Sequence, residues 1–233
     1  MNLIPQVVRR GAIQLLGPLV QFLVRLHVRP NAITTVGTLL VIGAAVGFAF
    51  GRAHWAGFLL LLSGVFDMLD GRVARDGGAR TTFGAFYDST LDRVGEAALF
   101  TGIAVAFLEG GVPRERVTLA VVLACVALAS SLIVSYTRAR AEGLGLECNV
   151  GIAQRAERIL LLGVPTMVLG AGKDGAVLFW IVGVLAFATA VTVVQRVVHV
   201  ARAAGAGAPV RRAPRARDTV PGRAPILHSR KGR

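Results

Sequence analysis

Charge is what this sequence has least of. Only 17% of its 233 residues are Asp, Glu, Lys or Arg, against 54% hydrophobic, and the mean hydropathy is +0.64. Soluble domains carry about a quarter charged residues, so the shortage excludes an ordinary water-exposed surface and points to a chain that crosses a membrane several times. Acidic residues are scarcer still, 13 against 26 Lys and Arg. In a membrane protein that excess suits attraction to an anionic cytoplasmic leaflet. With no soluble domain to present a basic face, nucleic acid is not an expected partner. Cysteine is nearly absent: Cys125 lies in an apolar run and Cys148 in a polar connection. Two are too few for a disulfide framework, and both read as free thiols without a redox role. A cleavable leader is not evident either, because residues 1–28 are broken by Pro5, Pro18 and Arg25 and lack an apolar core ending at a small-residue site.

What is present is length in the apolar runs. A spanning helix needs about 20 mostly apolar residues. Six stretches qualify: 31–51, 54–73, 83–108, 113–138, 152–170 and 174–200. Short connections such as "GRAH", "EGGVP" and "GAGKDG" separate them. Residues 1–30 mix apolar positions with Arg9, Arg10, Arg25 and Arg29 around Pro18, the pattern of an amphipathic helix lying in the interface plane. Residues 204–233, rich in Gly, Ala, Pro and Arg without periodicity, read as a disordered basic tail. The expected fold is an all-α integral membrane protein: an interfacial helix (1–30), a six-helix membrane domain (31–203) and the tail.

Placing both ends in the cytoplasm puts all but four of the 26 basic residues there; Arg52, Arg114, Arg116 and Lys173 fall outside. The positive-inside rule favours that orientation. It also gathers the remaining charged residues of the spans at one membrane face.

The acidic residues are not spread evenly. Asp67, Asp70, Asp76, Asp88 and Asp92 all lie between residues 66 and 92. Asp67 and Asp70 are i,i+3 at the end of the second span; Asp88 and Asp92 are i,i+4 at the start of the third. Each pair shares a helix face. A short link makes the two helices an antiparallel hairpin, so the four carboxylates are expected to meet in one pocket at the cytoplasmic interface. So many carboxylates in a low dielectric require counter-charge. Oxygen-only ligands suit hard divalent cations, Mg²⁺ or Mn²⁺, and two such ions would suit phosphoryl transfer. Gly71 and Gly84 let a ligand approach the backbone, and Arg75, Thr81 and Thr82 have groups that bind pyrophosphate. Asp76, in the loop, reads as solvated. The plainer alternative is that the aspartates salt-bridge nearby arginines and cap helices.

The pattern Asp67-x2-Asp70-Gly71-x2-Ala74-Arg75-x8-Gly84-x3-Asp88-x3-Asp92 resembles the signature of the CDP-alcohol phosphatidyltransferases at every defined position. The resemblance implies a six-helix membrane enzyme, usually homodimeric, that transfers a phosphatidyl group from a CDP-linked lipid such as CDP-diacylglycerol to an alcohol and releases CMP. It implies metal ligation by Asp67, Asp70, Asp88 and Asp92, with Asp92 also the general base. It further implies contacts to the CDP part from Gly71, Ala74, Arg75, Thr81 and Gly84. "PNAIT", with Asn31 and Thr34, is similar to the segment that closes over the nucleotide.

Beyond that signature, Arg138, Arg140, Arg155, Arg158 and Arg196 belong to the same membrane face. Arg155 and Arg158 sit at i,i+3 where a helix begins, which suits a phosphorylated acceptor, since Arg forks bind phosphate oxygens bidentately. The runs Ser135–Glu142, Arg155-Ala156-Glu157-Arg158 and Gln195-Arg196 resemble the branch that uses inositol 1-phosphate, with Arg138 in place of a lysine and Ala156 in place of a proline. By that resemblance Ser135, Arg138, Arg155, Arg158 and Arg196 bind the acceptor phosphate. Glycerol 3-phosphate is the rival acceptor. A cation transporter is the rival from another class, but such sites lie near the midplane between repeated halves, and no repeated half is found. The expected location is the cell membrane, multi-pass, among lipids, with active site and both termini cytoplasmic.

Overall fold

The computed structural model describes residues 6–205. Among them the chain is helical: α1 (Gln6–Arg25), α2 (Pro30–Ala49), α3 (Ala53–Asp76), α4 (Thr82–Ala106), α5 (Arg114–Gly143), α6 (Arg155–Leu169) and α7 (Ala176–Ala203). A π-helical turn, Phe107–Gly111, follows α4, and a 3-10 turn, Lys173–Gly175, precedes α7. The all-α class expected from the sequence is found. Nearly all of the tail expected at 204–233 lies outside the described residues, as do residues 1–5 of the N-terminal segment.

Among the described residues, three helices are long and apolar enough to cross a membrane: α2, α5, and α7 with its preceding turn. The other three expected spans differ for local reasons. α3 and α4 carry the charged stretch at their joined ends, and α6 has only 15 residues, with Pro165 inside it.

Helix ends follow the local sequence. Pro30 opens α2, where its missing N–H costs nothing. Thr81 caps α4, its hydroxyl accepting from the Gly84 N–H at 2.9 Å. Gln154 and Glu157 form a reciprocal capping box at α6, the Gln154 N–H donating to Glu157 Oε2 at 2.7 Å.

α2 packs against both α3 and α4, α3 against α6, and α5 against α7. The main core gathers Phe48, Leu60, Ile103, Phe107, Leu162 and Leu185, all buried. Glycine sets the closest approach. A Cβ on Gly57 would lie 2.6 Å from Thr166 Oγ1 and 2.8 Å from the Gly163 carbonyl, so α3 and α6 pack with backbone nearly in contact. Without a hydrophobic drive between helices in lipid, such small-residue contacts are a main source of packing energy.

A second cluster joins α1 to the rest: Val20 is fully buried with Ile33, Leu69 and Val73 beside it. Phe22 on the same helix and Leu26 in the turn after it remain exposed. On the outside of the bundle, Leu39, Phe50, Trp55, Trp180, Phe187 and Val194 are exposed, an outward apolar surface of the kind lipid covers.

Candidate active site

The end of α3 and the start of α4 come together as the hairpin pattern requires. Carboxylate oxygens of Asp67, Asp88 and Asp92 lie within 4.8 Å of one another. Asp70 does not join them. It sits one turn further along α3, is 6% exposed, and accepts a hydrogen bond from Thr34 Oγ1 on α2 at 2.8 Å. The spacing thus brings three of the four expected carboxylates into one group and turns the fourth toward α2.

The donor set fits a hard divalent cation. All candidate ligand atoms are carboxylate oxygens, and Asp88 Oδ1 is buried without a hydrogen-bond partner. An unpaired buried carboxylate oxygen carries a desolvation cost that a cation would remove.

Beside the aspartates opens a cavity of about 340 Å³. Asn31, Thr34, Gly71, Ala74, Arg75, Thr81 and Gly84, the seven residues expected to contact the CDP part, all line it, together with Asp70 and Asp88. Its floor is α2, its walls the end of α3 and the first turn of α4. A helix start offers unsatisfied N–H groups and a positive dipole end, and Arg75 and Arg80 add two guanidiniums on the same wall, so the cavity suits an anion. The glycines keep the lining tight. A Cβ on Gly84 would lie 3.0 Å from Thr81 Oγ1 and 3.3 Å from Asn31 Oδ1, and one on Gly71 would lie 3.3 Å from Arg75 Nη1. Arg80 lines the cavity too and did not stand out in the sequence.

The arginines expected at the acceptor side are not gathered in one place. Arg155, the first residue of α6, reaches the aspartates: its Nη2 lies 2.9 Å from Asp92 Oδ1, and its Nε 3.8 Å from Asp67 Oδ1. Its Nη1 also donates to the Asp92 carbonyl at 3.2 Å. Arg93 holds the other oxygen of Asp92 at 3.2 Å. Arg158 is 7% exposed, ion-pairs with Glu96 on α4, and donates to the Ala153 carbonyl at 3.0 Å.

Arg196 is 4% exposed, with Nε donating to the Val150 carbonyl at 2.9 Å and Nη1 to the Val134 carbonyl. It therefore ties the α5–α6 connection to α7. Arg138 pairs with Glu142 at 2.8 Å on an exposed turn of α5, and Ser135 lies half-buried three residues before it. Glu96 was missed by sequence reading, although its position, one helical turn beyond Asp92, was visible. Asp88, Asp92 and Glu96 recur every fourth residue along α4.

The chain is similar to known proteins over most of its length. The sequence profile of the CDP-alcohol phosphatidyltransferases matches residues 27–194. A phosphatidylinositol phosphate synthase of Cutibacterium acnes is 41% identical over 203 residues, covering 84% of this chain and 96% of that protein. An archaetidylinositol phosphate synthase of Methanothermobacter thermautotrophicus is 42% identical over 138 residues, 59% of this chain and 66% of that one. Among solved structures, the Mycobacterium tuberculosis phosphatidylinositol phosphate synthase with CDP-DAG bound superposes with a TM-score of 0.68 at 30% identity, covering 79% of this chain and 92% of that one. The same enzyme in complex with manganese and citrate gives 0.69 at 31% identity, over 78% and 87%.

Proposed function

The chain belongs to the CDP-alcohol phosphatidyltransferase family, and on that premise we propose that it transfers a phosphatidyl group from CDP-diacylglycerol to inositol 1-phosphate, giving phosphatidylinositol phosphate and CMP. One observation carries the reading: the cavity lined by all seven expected CDP-contact residues shares Asp88 with the three-aspartate cluster. A nucleotide in the cavity thereby lies beside a cation site. The relatives' activity and the CDP-DAG complex of the mycobacterial enzyme support the choice of donor and acceptor.

In the reaction, an acceptor hydroxyl oxygen attacks the β-phosphorus, the one esterified to the lipid. A new P–O bond forms to the acceptor, the bond from that phosphorus to the bridging oxygen breaks, and CMP leaves with the bridging oxygen. Asp92 takes the hydroxyl proton. Its two oxygens are held by Arg155 and Arg93, which aim the carboxylate. Asp67, Asp88 and Asp92, with Asp70 at the cavity edge, would hold divalent cations, Mg²⁺ or Mn²⁺, two in our reading. Bound there, the metal supplies charge stabilisation for the pyrophosphate and leaving group. Arg75 and the first turn of α4 orient the diphosphate, and Asn31 and Thr34 line the nucleotide side.

On the acceptor side, Arg155 is the guanidinium nearest the base, and Ser135, Arg138, Arg158 and Arg196 complete the set we assign to phosphate recognition. We read α2–α7 as six spans with α1 in the interface plane, the site and both termini cytoplasmic in a cell membrane, and the working unit as a homodimer. The distribution of basic residues and the outward apolar surface support this placement.

CMP release by purified protein tests the proposal, with inositol 1-phosphate, free inositol, glycerol 3-phosphate and serine compared. Inositol 1-phosphate is expected to be the substrate. Faster release with glycerol 3-phosphate would reassign the acceptor, and release with none would remove the activity.

A further inference from the structure

Glu96 lies outside the eight-position signature, yet it is placed to govern the acceptor side. Asp92 and Glu96 are one turn apart on α4, and Arg155 and Arg158 are one turn apart on α6. The two helices are therefore joined by two stacked ion pairs: Arg155 with Asp92, and Arg158 with Glu96. The outer pair is partly exposed, with side chains 24% and 16% accessible; the inner one is buried, 8% on each side.

Burying two charges inside a helix bundle rarely adds stability over an apolar pair, because the desolvation cost about equals the Coulomb gain. Ionisable residues in membrane helices are a functional hypothesis by default. α6 packs on α3 and α7, and the inner pair ties it across to α4; α6 opens with Arg155. Arg158 further fixes the segment before α6 through the Ala153 carbonyl. A cavity of about 30 Å³ is lined by Glu96, Arg155 and Arg158 together with apolar residues such as Leu60, Leu99 and Leu162, and both Glu96 Oε2 and Arg155 Nε lack a hydrogen-bond partner.

The geometry points to Glu96 as a positioning residue: through its buried pair with Arg158 it sets Arg155 against Asp92 and so shapes acceptor recognition. Arg158, one of the acceptor set, thereby also holds Arg155 in place. The effect on acceptor kinetics rests on the phosphatidyltransferase reading above; the effect on Arg155 does not.

Two measurements on full-length protein in lipid–detergent micelles test this. Labelling of arginines by phenylglyoxal, read peptide by peptide by mass spectrometry, reports how firmly Arg155 is held, with exposed Arg140 as the reference. Glu96→Gln is expected to raise the Arg155 rate relative to Arg140 by about threefold or more, since one partner of a buried pair is lost, and Glu96→Asp to stay nearer wild type. An unchanged Arg155 rate in Glu96→Gln overturns the proposal. In turnover, Glu96→Gln is expected to raise the KM for inositol 1-phosphate about tenfold while the KM for CDP-diacylglycerol stays within about twofold. Equal rises in both overturn it. If Glu96→Gln fails to fold, Arg158→Lys, which keeps the charge but loses the fork, carries the labelling expectation and its refutation. Wild type that turns over no phosphorylated acceptor refutes the functional reading, and the labelling still decides the role of Glu96.

Discussion

Replacing Arg155 by Ala removes two ion contacts and one hydrogen bond at once: Asp92 Oδ1 at 2.9 Å, Asp67 Oδ1 at 3.8 Å and the Asp92 carbonyl at 3.2 Å. A charge-assisted hydrogen bond contributes about 1.5–3 kcal/mol. The Arg155 side chain is 24% accessible, so water screens part of this, and the 3.8 Å contact adds little. A loss of about 3 kcal/mol in acceptor-dependent transition-state stabilisation follows, or about a hundredfold in kcat/KM for inositol 1-phosphate. Arg155→Lys keeps the charge without the fork and is expected to lose about tenfold. The assay is CMP release with each substrate varied in turn at saturating partner. The KM for CDP-diacylglycerol is expected to stay within about twofold, because Arg155 does not line the nucleotide cavity. Equal effects on both substrates, or an unchanged acceptor kcat/KM, would refute the reasoning.

Three further expectations concern other parts of the site. Asp92→Asn keeps the shape of the base but cannot take a proton; CMP release should fall by about 10³-fold while equilibrium binding of CDP-diacylglycerol survives, and unchanged turnover would remove Asp92 as base. Chelation with EDTA should stop activity and added Mg²⁺ or Mn²⁺ should restore it; full turnover in metal-free protein would contradict a cation held by Asp67, Asp88 and Asp92. Gly57→Ala puts a methyl 2.6 Å from Thr166 Oγ1 and forces α3 from α6, so thermal stability should drop by about 1–3 kcal/mol with a parallel loss of activity; wild-type stability would mean the helices part without cost.

Much of this arrangement could be read from the sequence, and the departures have physical causes. Each of the six apolar stretches contains a helix, α2 to α7, but hydropathy misplaced their ends, because it reports where apolar side chains stop, not where backbone hydrogen bonding stops. α5 runs on to Gly143, past the expected end at 138, since Arg138 and Glu142 form an i,i+4 pair that continues the helix in a polar setting. α6 starts later than expected, at Arg155, because the segment before it is pinned to α7: the Ala153 N–H donates to Thr192 Oγ1 at 3.2 Å and Arg196 donates to Val150.

Helical spacing put Asp67, Asp88 and Asp92 together correctly. It did not foresee that Asp70 faces α2, since that depends on which helix lies alongside, and Thr34 supplies the partner. Glu96 escaped for a related reason. A signature ends where its fixed positions end, whereas the helix face that carries it continues for another turn.

The central claim is that the acceptor's own phosphate is kept while the lipid's phosphorus changes partners. Incubating the protein with CDP-diacylglycerol and inositol 1-phosphate labelled with ³²P in its phosphate tests it most directly. The account predicts that label moves into the organic lipid fraction in step with CMP release. CMP released with all label left in the aqueous phase would contradict it.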